Sequence, residues 1–157
     1  MGARWPALCD GRGVMNDKAR LLLARIRRFQ AELQALCAGI APSPAAKRMV
    51  RRLTSASTGV DISYGAASAV TWADDFLPHI AAAARHAKCA RQRLQDLVHM
   101  KYVSLEAGRD LIHEARGLEN ILRASRNTAR RRRNARQRGA QAAGRFAKNP
   151  FGAGRRA

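Results

Sequence analysis

At 157 residues, 46% of them apolar, the chain is long enough for one domain with a real core. Aromatics are only 5%, and Ala, Leu, Arg and Gln outnumber the β-branched and aromatic residues that sheets favour, so composition argues against a sheet and for helices. Lys and Arg number 30 against 11 Asp and Glu, a net +19 that repels itself unless a polyanion neutralises it. No apolar run approaches the roughly 20 residues needed to span a bilayer.

Residues 1–14 lack a hydrophobic signal region and read as a disordered extension. A first helix is expected from Asn16 to Ile40, with Asn16 as N-cap and Asp17 at the positive end of the dipole. Leu22, Ile26, Phe29, Leu33, Leu36 and Ile40 step by four and three residues, the spacing of a packing seam. Ala41-Pro42-Ser43-Pro44 stops it. Ser43 caps a second helix with Pro44 in the first position. Met49, Leu53, Ala56 and Val60 form its apolar face, and Gly65 is the expected terminator, leaving residues 66–72 as a connection.

The third helix is expected from Asp74 and Asp75 to Lys101 or Tyr102, with Pro78 in the first turn. Ile80, Ala83, Ala87, Ala90, Leu94 and Leu97 form its inner stripe. Ser104 caps a fourth helix, whose buried face is read as Leu105, Leu111, Ile112, Ala115, Leu118, Ile121 and Leu122. From Arg126 to Ala157 there are ten Arg, one Lys and no acid, +11 in 32 residues. This tail is expected to stay helical through Gln137 and to become disordered at Gly139, Gly144 and Pro150. The organisation is therefore an extension (1–14), an antiparallel up-and-down four-helix bundle (15–125) and an Arg-rich tail (126–157).

Three cysteines, Cys9, Cys37 and Cys89, fit neither a disulfide framework nor a zinc knuckle. Cys37 and Cys89 read as core thiols, which suits the reducing cytoplasm. His86 and Cys89 share a helix face, but two ligands do not make a zinc site. Asp74 and Asp75 are accounted for by helix capping. No phosphate loop, nucleophile elbow or Ser/His/Asp order appears, so neither an enzyme nor a cofactor is expected.

The basic residues carry the functional reading. Arg51 and Arg52 on the second helix, Arg85 and Arg91 on the third, and Arg130, Arg131, Arg132, Arg133, Arg136 and Arg138 on the last are the candidate phosphate contacts. Arg25, Arg27 and Arg28 could join Lys47, Arg51 and Arg52 in one basic face. Few aromatics are present to stack on bases, so backbone binding is expected, RNA or DNA alike. The alternative is a scaffold whose charge serves an acidic protein partner. Membrane attachment through the tail lacks hydrophobic anchors.

The order of short motifs also resembles a bacterial four-helix-bundle family. That family includes proteins encoded in 23S rRNA intervening sequences and the accessory variability proteins of diversity-generating retroelements. Val50-Arg51-Arg52 resembles its Ile-Arg-Arg segment, and Asp61-Ile62 with Gly65 its Asn-Ile-Ala-Glu-Gly. Phe76-Leu77 matches a Phe-Leu pair, and Tyr102-Val103-Ser104 its Gly-Tyr-Leu-Ser. Tyr64 replaces the family's Glu and Lys101 its Gly; with the high charge, these departures lean towards the retroelement branch. The likeness covers roughly residues 20–125. It implies a homopentamer with a basic surface that binds a reverse transcriptase and nucleic acid.

Overall fold

The computed structural model describes residues 17–70 and 73–148, so the extension over 1–14, the Asn16 cap and the end of the tail lie outside the described residues. The described chain is all-α: α1 (Asp17–Ala38), α2 (Pro44–Ala69), α3 (Ala73–His99) and α4 (Leu105–Lys148). Each helix packs on its two chain neighbours, with α1 closing against α4. That is the antiparallel up-and-down bundle expected from the pattern and the short connections. None of the four helices is long and apolar enough to cross a membrane.

The helix ends follow from local chemistry. Ala46 N–H donates to Ser43 Oγ at 3.1 Å, and Pro44 occupies the first turn. At the start of α4, Ala107 N–H donates to Ser104 Oγ at 3.2 Å. The α3 end is tighter than expected. The helix stops at His99, and Lys101 takes φ 60, the left-handed region. Lys101 N–H donates to Val98 O and Tyr102 N–H to Leu97 O, each at 3.0 Å. These are the two hydrogen bonds of a Schellman motif, in which glycine ordinarily stands at the Lys101 position.

α3 is the centre of the bundle, with the most extensive interfaces on α2 and α4. All six residues of its expected stripe are buried. Ile26, Phe29 and Leu33 from α1, Leu53 and Val60 from α2, and Leu118 and Leu122 from α4 close the core around it. The alanines of α3 leave room for neighbours to come close, and two glycines complete the fit. A Cβ at Gly59 would stand 2.6 Å from the His86 ring, and one at Gly108 2.6 Å from Val98 Cγ2. Inside α2, the buried Ser57 hydroxyl donates to Thr54 O at 2.9 Å, so a polar residue in the core is satisfied within its own helix.

Several expectations are corrected. α2 runs through Gly65 to Ala69, because one glycine only lowers helix propensity and alanines follow it; the chain turns extended only at Val70. Pro78 is the sixth residue of α3, past the first turn, where its missing amide leaves the Asp74 carbonyl without a helical donor. Leu105 is 68% exposed, since it opens α4 at the bundle's end. Cys89 is exposed, lying off the stripe that buries Ala87 and Ala90, whereas half-buried Cys37 packs against the core. α4 continues without a break through Gly139 and Gly144 to Lys148. Strong helix formers flank both glycines, and no proline follows before Pro150.

Candidate nucleic-acid interface

Three ion pairs join one helix to another. Arg25 grips Glu114 in a bidentate pair at 2.5 and 2.8 Å, bridging α1 to α4. The Arg25 hydrogen bond holds the Glu114 carboxyl below the usual carboxylate range. Arg27 reaches Asp61 of α2 at 3.2 Å, and Arg28 pairs with Glu32 at 2.8 Å within α1. Arg25, Arg27 and Arg28, expected to join Lys47, Arg51 and Arg52 in one basic face, are thus each paired with a carboxylate. Arg27–Asp61 and Gln30–Thr58 fix the α1–α2 register, which puts Arg51 about 15 Å along the bundle from Arg27.

Arg91 also has a structural partner. Its Nε donates to Glu119 Oε2 at 2.8 Å and its Nη1 to Gln95 Oε1 at 2.9 Å. The side chains are only 19% and 7% exposed, so this pair sits between α3 and α4 as packing. Sequence reasoning could not separate Arg91 from its neighbours, because its partner lies 28 residues away. Arg51, Arg52 and Arg85 are exposed.

The remaining candidates share α4. Its last fully buried residue is Ala129, and beyond it only Arg133 is partly covered, through residue 144. The helix leaves the bundle there and runs on for residues 130–148, about 28 Å at 1.5 Å per residue. Arg130, Arg131, Arg132, Arg136 and Arg138 are exposed on this projection. Arg133 lies at its root with Nε buried and unpaired among the described residues. Every acid of the chain precedes Arg123, the last being Glu119.

Two surface hollows lie along α2. One of about 550 Å³ runs along α2 past Thr54, Ser55, Thr58 and Ser63 to His86, with no carboxylate in its lining. Another, about 370 Å³ and apolar, lies where α1 hands over to α2, beside Cys37, Ile40 and Val50, with Arg51 at its rim. Among the described residues no three His, Cys, Asp or Glu side chains gather as a metal would need. Fold and surface together define a four-helix bundle whose last helix carries an exposed run of cations beyond the core. Comparison with protein-family models, curated proteins and solved structures gives no match.

Proposed function

We propose that the chain is a non-enzymatic nucleic-acid-binding bundle that grips phosphates through the outer cations of α4, with Arg51, Arg52 and Arg85 as further contacts. The observation that carries this reading is the α4 projection. Arg130, Arg131, Arg132, Arg133, Arg136, Arg138, Arg145 and Lys148 lie on it without an acid. That is roughly one positive charge per 3.5 Å of helix, facing about one phosphate per 1.7 Å of duplex axis. Arginine forks suit phosphate oxygens bidentately.

The resemblance to the bacterial four-helix-bundle family supports a wider form of the proposal. In it, the chain is an accessory adaptor to a reverse transcriptase in a diversity-generating retroelement and works as a homopentamer. Several α4 projections on one assembly would multiply weak phosphate contacts by avidity.

Fluorescence anisotropy with labelled RNA and DNA over a salt series tests the core claim. Six or more contacts should drop affinity on the order of 10³-fold between about 50 and 200 mM salt. A chain cut after Ala129 keeps the whole buried face of α4, and should fold yet lose most of that affinity. No binding to either nucleic acid at low salt would remove the reading. Stoichiometric capture of one protein that survives nuclease would instead assign the charge to an acidic partner.

A further inference from the structure

We infer that α4 carries one continuous docking face for duplex nucleic acid along its whole outer side, from Arg109 to Arg138, and not only on the projection. The inference rests on the nucleic-acid reading above and names both its surface and its ligand class. Arg109, Arg116, Arg123 and Arg130 recur every seven residues, and Arg138 falls one residue past the next step. Seven residues are two turns less about 20°, so these side chains form one slowly drifting row, with rungs about 10.5 Å apart. All five are exposed. Between them, in a second seven-residue series, stand His113, Asn120, Asn127, Asn134 and Gln141, exposed and able to donate to phosphate or sugar oxygens.

An ordinary solvated helix face would mix signs along this row. Here two of the four acids of α4 turn elsewhere. Glu114 faces α1 through Arg25, and Glu119 faces α3 through Arg91. Asp110 opens into the α1–α4 hollow that also holds Arg28 and Glu32. Glu106, in the first turn, marks the N-terminal limit of the face. Two rungs have weak partners: Arg109 to the neighbouring Asp110 at 3.3 Å, both largely exposed, and Arg123 to Glu119 at 3.7 Å. The exposed Arg109–Asp110 pair contributes little and can exchange onto phosphate, and Arg123 reaches the buried Glu119 only at long range while its own side chain stays exposed. The Arg91–Glu119 contact also sets α3 against α4, bringing exposed Arg85 and Lys88 about level with residues 125 and 122.

The ligand class follows from what accompanies the cations. Single strands are held by aromatic side chains on which bases stack. Phe29, Tyr64 and Phe76 are buried in the core, and Tyr102 is half-buried at the α3–α4 turn. A rigid row of cations and amides, with no Phe, Trp or Tyr in the sequence from Arg109 to Arg138, suits a stiff ladder of phosphates. Arg109 to Arg138 spans about 43 Å, slightly more than one turn of duplex.

The test uses the full chain with labelled duplex DNA, duplex RNA and single strands of equal phosphate number. The R109Q/R116Q/R123Q variant leaves the projection untouched, and its melting curve checks the fold. It should lose tenfold or more in duplex affinity, and the salt slope should fall by about 2.7. R109K/R116K/R123K, which keeps the charge, should retain most of the binding. Tighter binding to either duplex than to the single strands supports the ligand class. Unchanged duplex affinity and slope in the Gln variant would confine binding to the projection and overturn the inference, leaving nucleic-acid binding intact. Single strands bound as tightly as duplex would overturn the ligand class. Failure of the unmodified chain to bind any of these probes at low salt would remove the functional reading itself.

Discussion

Replacing Lys101 by glycine should stabilise the bundle, although it removes a side chain. Lys101 sits at φ 60 in the Schellman turn that ends α3. For a residue with a Cβ, the left-handed region costs about 1–2 kcal/mol. Glycine relieves that strain but loses more freedom on folding, an offset of about 0.5–1 kcal/mol. The Lys101 side chain is exposed, so little packing is lost. The expected balance is about 0.5–1 kcal/mol in favour of glycine. For a chain of this length, 1 kcal/mol moves Tm by about 2–4 °C, so K101G should melt about 1–4 °C higher by circular dichroism. Removing one charge from a chain at +19 can also stabilise, and K101A separates the two effects. It loses the charge but keeps the Cβ and should gain less. A gain for K101A equal to that of K101G, or no gain for K101G, would show that backbone strain at this turn is not the cause.

Glycine at position 59 should behave in the opposite way. Gly59→Ala gains about 1 kcal/mol of helix propensity, yet its Cβ would meet the His86 ring, so a net loss of about 1–2 kcal/mol is expected by urea unfolding. In a His86→Ala background the sign should reverse; a stabilising G59A in the parent chain would refute the close contact. The Glu114 carboxyl titrates below its ordinary value of 4.5 because Arg25 hydrogen-bonds its charged form. That contribution to stability is present above the unfolded pKa and fades as pH falls through the lower folded one. Acid-unfolding curves of Glu114→Gln should therefore lose part of their slope below about pH 4.5, and identical curves would dismiss the linkage.

The bundle was legible because its apolar steps are regular. Ile80 through Leu97 on α3 sit where a helical repeat puts them, and each is buried. Punctuation was less legible. Gly65, Gly139 and Gly144 read as stops, but glycine only lowers helix propensity by about 1 kcal/mol, and strong formers on either side carry the helix through. Cys89 and Leu105 show that a residue one step off a stripe, or at a helix end, escapes burial despite its type. The site was half legible. Charge alone pointed to α4, yet nothing local reveals that Arg25 is spent on Glu114, 89 residues away, or Arg91 on Glu119. The seven-residue arginine row is written in the sequence, but that α4 runs unbroken, and that Glu114 and Glu119 turn towards α1 and α3, is not.

This division of charges separates what holds the fold from what faces solvent. Arg91 and Glu119 are largely hidden from water, so salt screens them weakly, and removing one partner would strand the other between α3 and α4. Arg116 and Arg130 face solvent, where neighbouring cations repel and salt screens them fully. The same ions therefore act unequally on the two sets. Rising salt relieves repulsion along α4 and favours the free bundle, while it competes with phosphates for the outer row. A polyanion laid along that row relieves the repulsion more effectively than simple salt, because it concentrates countercharge at the rungs. On the proposed function, binding and stability are then coupled through α4: the helix that closes the core through Leu118 and Leu122 is the one whose outer face a duplex would neutralise.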